Sequence, residues 1–155
     1  MTQQEVIREL LATAAILSRA EIEYPDDYYG IHKTSPASVF IGRWFFSNKP
    51  RSANLYRDLA KAYPFSGTAY RVDSYPPYVG KYASWSSSLR GIEKWKDVQG
   101  ISDEAIIYSG KISKGFDLAK FVKGEGLEGD SAAKLIMKVD EVVPIVNVTN
   151  LKIVN

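Results

Sequence analysis

The chain has 155 residues, enough for one domain with its own core, and its 45% hydrophobic and 25% charged residues are typical of a globular protein. Lys and Arg number 20 against 18 Asp and Glu, so the net charge of +2 indicates no strongly charged partner. The absence of cysteine excludes disulfides, thiolate nucleophiles and cysteine-ligated zinc.

No targeting or membrane segment is predicted. The first residues, MTQQEVIREL, lack a basic region followed by an apolar core, so we expect no signal peptide. No apolar run approaches the roughly 20 residues that a membrane-spanning helix needs. We therefore expect a cytoplasmic protein with no membrane partner.

In the first half of the chain, apolar residues recur at the spacing of an α-helix. A first helix is predicted over residues 3–18, where apolar residues recur on one face: Ile7, Leu10, Leu11, Ala14 and Leu17. The following EYPDDYYGIHKTSP, rich in proline and aspartate, predicts a loop.

Two further helices follow this loop. In SPASVFIGRWFF, Ser35 is placed as an N-cap and Pro36 at the first helical position. Ser52 is the predicted N-cap of the next helix, which should end near Pro64.

The second half has the character of strands. SGTAYRVDSY, YASWSSSL and EAIIYSGKI each predict a strand, and a serine N-cap in SSLRGIEKWKD predicts one helix. KGEGLEGD, residues 123–130, predicts a loop, and KVDEVVPIVNVTNLKIVN predicts a strand, a turn and a strand. The expected fold is α+β in a single domain, residues 1–155, with a helical part over 1–65 and a β-rich part over 66–155.

Few of the common catalytic motifs are present. The one histidine, His32, lies in the predicted loop without a second ligand, so a metal site is not expected there. It also cannot supply a Ser–His–Asp triad with any neighbouring residue. Neither G-x-G-x-x-G nor G-x-x-x-x-G-K-[ST] occurs, which excludes Rossmann and P-loop sites by motif.

Three short segments remain, and their order is informative. Arg71 lies inside a predicted strand, an aromatic-x-Ser-x-Ser segment follows at Tyr82, Ser84 and Ser86, and Glu141 opens a strand near the end. In this order they resemble the arginine–serine–glutamate branch of the ADP-ribosyltransferase superfamily, which includes bacterial toxins and phage-encoded transferases. The resemblance covers about residues 66–155.

The resemblance implies a fold and a chemistry. Helices would pack on a split, mostly antiparallel two-sheet core that binds NAD. Family members cleave the nicotinamide–ribose bond of NAD, and Glu141 would hold the ribose 2-hydroxyl as positive charge develops on the ring. Ser84 would orient Glu141 and help seat the nicotinamide ribose. Arg71 would bind the phosphates of NAD through its planar fork of donors.

Further residues receive roles from the same resemblance. Ser86 would support Ser84, and the ring of Tyr82 or Trp85 would pack on a flat ring of NAD. Each assignment has a structural alternative: the serines would also serve as a turn and helix cap, Arg71 as a sheet-surface residue and Glu141 as a solvated strand residue. Asp140 is a rival for Glu141, because alternation along a strand would direct only one of them into the cleft.

The chain departs from the family at one position. Members that modify arginine carry Glu or Gln two residues before the catalytic glutamate, where this chain has Val139. This argues against an arginine acceptor and leaves another amino acid, a nucleic acid, a small molecule, hydrolysis of NAD, or no activity. The leading hypothesis is a small cytoplasmic mono-ADP-ribosyltransferase of the phage or toxin type that uses NAD, located in a bacterial host if a phage encodes it. The alternatives are a catalytically inactive binding or inhibitor protein on the same scaffold and a nucleic-acid-binding protein.

Overall fold

The described part of the chain is a mixed α+β structure. A computed structural model describes residues 36–45, 52–74, 76–100, 105–129 and 131–154. The predicted helix over 3–18, the Ser35 cap and His32 lie outside these residues. The elements in chain order are α1 Pro36–Phe45, α2 Ala53–Ala62, β1 Pro64–Asp73, β2 Trp85–Ser86, α3 Leu89–Gln99, β3 Ile106–Asp117, α4 Leu118–Gly124, α5 Ser131–Lys138, β4 Glu141–Pro144 and β5 Thr149–Ile153.

Serine caps begin two of the helices. Ser52 Oγ accepts a hydrogen bond from the Leu55 N–H (3.2 Å), which confirms the predicted start of α2. Ser88 Oγ accepts from the Gly91 N–H (2.9 Å) at the start of α3. Helix α3 ends at Gly100, whose φ of 64° is left-handed and therefore suits glycine.

The strands form one antiparallel sheet that closes on itself. Its order is β1-β2-β4-β3-β5, and β1 also pairs with β3 from Pro64↔Phe116 to Asp73↔Ile106. Strands β1, β2, β4 and β3 therefore form a closed ring, and β5 extends β3. The expected pair of separate sheets is not what the described strands form. The long β1–β3 pairing curls the sheet, with a bulge at Gly67 (φ 134°) where the register shifts.

Two clusters of buried residues lie on opposite faces of β4. Val142 joins a cluster that takes residues from all four strands of the ring: Ala69, Ala83, Trp85, Ile112, Val142 and Val148. Val143, on the other face because side chains alternate along a strand, joins the cluster of α1, α2, α4 and α5. Strand β4 is thus fixed from both sides.

Two helices were not predicted. Helices α4 and α5 fall in the half of the chain expected to be strands, and the predicted loop over 123–130 begins inside α4. Helix α4 has seven residues, too few for a helical period to stand out, and Asp117 caps it by accepting from the Lys120 N–H (3.0 Å). No helix among the described residues is long and apolar enough to cross a membrane.

Candidate functional site

The three segments singled out in the sequence meet at one place on the sheet. Ser86 in β2 pairs with Tyr70 in β1 on one side and with Glu141 in β4 on the other. The short β2 therefore lies between the strand that carries Arg71 and the strand that opens with Glu141. This register brings together side chains that are 57 residues apart along the chain, those of Ser84 and Glu141.

Glu141 is a buried carboxylate held by two donors. Its residue is 6% exposed, and its Oε2 accepts a hydrogen bond from Ser84 Oγ (2.8 Å). The same oxygen accepts from the indole Nε1 of Trp44 (2.6 Å). Hydrogen bonds to an ionised group are about twice as strong as neutral ones, so the pair of donors fixes the direction of this carboxylate.

The side chain of Arg71 holds the backbone of the serine segment in place. Its Nη1 donates to the Ser84 carbonyl oxygen (2.7 Å), and its Nε donates to Asp73 Oδ2 (3.1 Å). The side chains of Arg71 and Asp73 are each 23% exposed, so this ion pair is only partly shielded from solvent. Arg71 therefore has a positioning role beside the predicted role in phosphate binding. Because the guanidinium is planar and rigid, these two hydrogen bonds also fix the directions of its other N–H groups.

Asp73 anchors the loop that leads towards the site. Partial burial raises the pKa of its carboxyl, but hydrogen bonds from the Tyr78 N–H, from Arg71 and from the Ser74 N–H outweigh this, so the pKa lies below its usual value. The ionised carboxylate thus fixes both Arg71 and the turn after β1.

The remaining serine and tryptophan of the predicted set are core residues. Ser86 is fully buried, and its Oγ donates to the Ser88 carbonyl (2.8 Å) and lies 3.3 Å from the Ser88 N–H. Ser86 thus supports the start of α3. Trp85 is also fully buried in the cluster that joins the ring strands. Its contact with a flat ring of NAD stays a prediction, and the observed role of the ring is in packing.

Tyr82 is the aromatic residue that stays partly accessible beside Ser84. Its ring stacks on that of Tyr56 with centroids 4.1 Å apart and planes 22° apart. Burial raises the pKa of Tyr56 far above its usual value, and Tyr82 adds to the shift, so the Tyr56 hydroxyl stays protonated. Tyr82 has a φ of 65°, a costly conformation for a bulky side chain. Its N–H donates to the Pro144 carbonyl (2.8 Å), which ties this strained residue to β4.

The structure separates the two neighbouring carboxylates. Asp140 Oδ2 accepts from Ser88 Oγ (2.7 Å), and the Asp140 carbonyl accepts from the Ser87 N–H (3.0 Å). Asp140 has a φ of 50°, a left-handed turn that directs it towards α3 while Glu141 enters the sheet. Asp140 therefore fixes the start of α3, and Glu141 is the carboxylate that contacts Ser84.

Trp44 is the member of the site that the sequence did not indicate. Its segment, GRWFF, has the composition of a helix core, and Trp44 is indeed buried in α1. Nothing in the local pattern shows that its indole N–H would meet a carboxylate 97 residues later. Only the three-dimensional arrangement reveals it.

The site consists of a carboxylate, that of Glu141, and the hydrogen-bond donors that contact it. Within the described ranges, no group of three His, Cys, Asp or Glu residues is arranged to hold a metal ion. Comparisons of the chain with known protein families, with characterised proteins and with solved structures find no match. The functional interpretation therefore depends on the geometry of Arg71, Ser84 and Glu141.

Proposed function

We propose that the protein is a mono-ADP-ribosyltransferase that cleaves NAD at the nicotinamide–ribose bond and transfers ADP-ribose to an acceptor other than arginine. The observation that carries the proposal is the contact of Ser84 Oγ with Glu141 Oε2 (2.8 Å), with Arg71 bound to the carbonyl of the same serine. Three residues whose order resembles the arginine–serine–glutamate pattern are thereby linked in one chain of contacts. An ADP-ribosyltransferase-like fold is part of the proposal.

The chemistry requires a carboxylate that is fixed in place. When the bond between the ribose and nicotinamide breaks, its electron pair leaves with nicotinamide and positive charge develops on the ribose ring. Glu141 would accept a hydrogen bond from the ribose 2-hydroxyl, and this bond strengthens as the charge develops. The acceptor nucleophile then bonds to the ribose carbon and releases its proton. A preorganised carboxylate needs no reorientation at that moment, which favours catalysis.

The neighbouring groups suit the other parts of NAD. The guanidinium of Arg71 has N–H groups beyond those bound to Ser84 and Asp73, and these suit phosphate oxygens. Tyr82 offers a partly exposed ring next to Ser84 for a flat ring of the dinucleotide. These roles are part of the proposal.

The acceptor is inferred from Val139. The position two residues before Glu141 is 4% exposed and apolar, so it cannot hydrogen-bond an incoming arginine. We therefore propose a different acceptor or hydrolysis of NAD. The proposed setting is the cytoplasm of a bacterial host, where the protein acts as a toxin or phage effector.

The test uses NAD labelled in its adenine half, and measures nicotinamide release and label transfer to host-cell extract. Glu141→Gln keeps the size of the side chain and removes its charge, so nicotinamide release should fall by about 100-fold or more. Glu93→Gln, an exposed change of the same kind on α3, should have no effect. Equal rates for wild type and Glu141→Gln would refute the mechanism. Absence of any heat on titration with NAD would instead favour a catalytically inactive binding protein.

A further inference from the structure

Helix α1 reaches the site through the indole ring of Trp44. The ring nitrogen lies 2.6 Å from Glu141 Oε2 in a contact between two buried side chains. An indole N–H is a donor only, so the direction of this hydrogen bond is unambiguous. From this contact we propose that Trp44 is a positioning residue for Glu141, an inference that depends on the proposed function of Glu141.

The ring of Trp44 is itself held on several sides. Its centroid lies 6.0 Å from that of Phe40, 6.3 Å from that of Tyr56 and 6.2 Å from that of Phe116. These residues come from α1, α2 and β3, and the contacts with Tyr56 and Phe116 are edge-on. A ring packed in this way cannot follow a moving carboxylate. The carboxylate therefore takes its direction from the ring.

The two donors on Glu141 come from different parts of the fold. Ser84 Oγ donates from the segment that enters β2, and Trp44 donates from α1, yet both meet the same oxygen, Oε2. Two donors from separate elements fix the plane and the rotation of the carboxylate better than one does.

Packing alone does not account for the hydrogen bond of Trp44. Trp85 is buried even more completely than Trp44, and its Nε1 has no hydrogen-bond partner in the described part of the chain. The fold therefore tolerates a buried indole N–H without an acceptor. In Trp44 the N–H is directed instead at the carboxylate that the proposed mechanism needs.

The test is Trp44→Phe, which keeps an aromatic ring in the cluster and removes only the donor and one ring. We expect kcat for nicotinamide release to fall by about 10- to 100-fold, because a misplacement of about 1 Å can cost about 100-fold. The KM for NAD should change by less than about threefold, since Arg71 and Tyr82 are unaltered. Trp95→Phe, on α3 and half-buried, is the matched control and should leave both constants unchanged.

A second measurement reports on the contact without relying on activity. In a ¹H–¹⁵N spectrum, the indole resonance of Trp44 should move when Glu141 is replaced by Leu, and the resonance of Trp95 should not. A variant Trp44→Phe that unfolds would leave this resonance test to decide on the contact.

The outcomes separate the two proposals. If Glu141→Gln is inactive but folded Trp44→Phe keeps the wild-type kcat, the positioning role is overturned and the proposed function survives. If the Trp44 indole resonance does not shift in Glu141→Leu, the positioning role is likewise overturned and the proposed function is not affected. A wild-type protein that releases no nicotinamide from NAD overturns the proposed function and this role with it. Loss of kcat in Trp44→Phe together with the resonance shift supports both.

Discussion

Ser84→Ala tests the central contact of the site, because it removes the hydroxyl and leaves the backbone carbonyl that Arg71 binds. Ser84 Oγ lies 2.8 Å from Glu141 Oε2, and Glu141 is only 6% exposed. Loss of a hydrogen bond to a charged group costs about 1.5 to 3 kcal/mol of unfolding free energy. For a chain of this size each kcal/mol lowers the melting temperature by about 2 to 4 °C, so a fall of roughly 3 to 12 °C is expected.

The assay is a double-mutant cycle in urea at pH 7, followed by circular dichroism. It comprises wild type, Ser84→Ala, Glu141→Leu and the double variant. Because the two side chains interact directly, we expect a coupling free energy of about 1.5 kcal/mol or more. Ser87→Ala, in a half-buried serine of the same segment, should be additive with Glu141→Leu. Additivity of Ser84→Ala with Glu141→Leu to within about 0.5 kcal/mol would refute the contact and its proposed consequence.

Three further predictions concern the elements around the site. The pKa of Asp73 is lowered in the folded protein, so its stabilising contribution is present above pH about 4 and is lost as the pH falls through the pKa of the folded state. The difference in unfolding free energy between wild type and Asp73→Asn should therefore shrink on acidification. Burial raises the pKa of Asp117 above its usual value, so the ionised carboxylate is unfavourable in the folded protein. Stability is therefore lost as the pH rises through this raised pKa. Asp117→Asn, which keeps the cap, should therefore be at least as stable as wild type at pH 7, whereas Asp117→Ala should lose about 1 kcal/mol in urea unfolding. Gly91→Ala would place a methyl group against the Val139 carbonyl and cost about 1 to 3 kcal/mol, whereas Gly129→Ala, with open space around it, should change the melting temperature little.

Some features of the fold follow directly from local sequence. The Ser52 cap, the helix after the serines and the strand–turn–strand ending are all present, because caps and alternating β-branched residues act within a few positions of each other. The expected antiparallel, mixed α+β character is confirmed for the same reason. Local signals determine which elements form.

Other features depend on contacts that no local pattern records. The pairing of β1 with β3 along their whole length decides that the strands form one closed ring, and neither strand shows this in its own residues. The burial of Trp85 follows from its place among four strands, with Gly110 leaving room for its ring. The second donor on Glu141 comes from a helix 97 residues away. The meeting of Ser84 with Glu141 was anticipated only through the order of three short segments.

The wide separation of the groups around Glu141 has a consequence for protein synthesis. Its donors stand 57 and 97 residues earlier along the chain, and closing such long loops delays the assembly of a sheet until its distant strands are all present. A nascent chain on the ribosome therefore holds its serine and its tryptophan without the carboxylate that they bind. Translation products that stop before residue 141 therefore carry Ser84 and Trp44 but lack the carboxylate that both side chains bind.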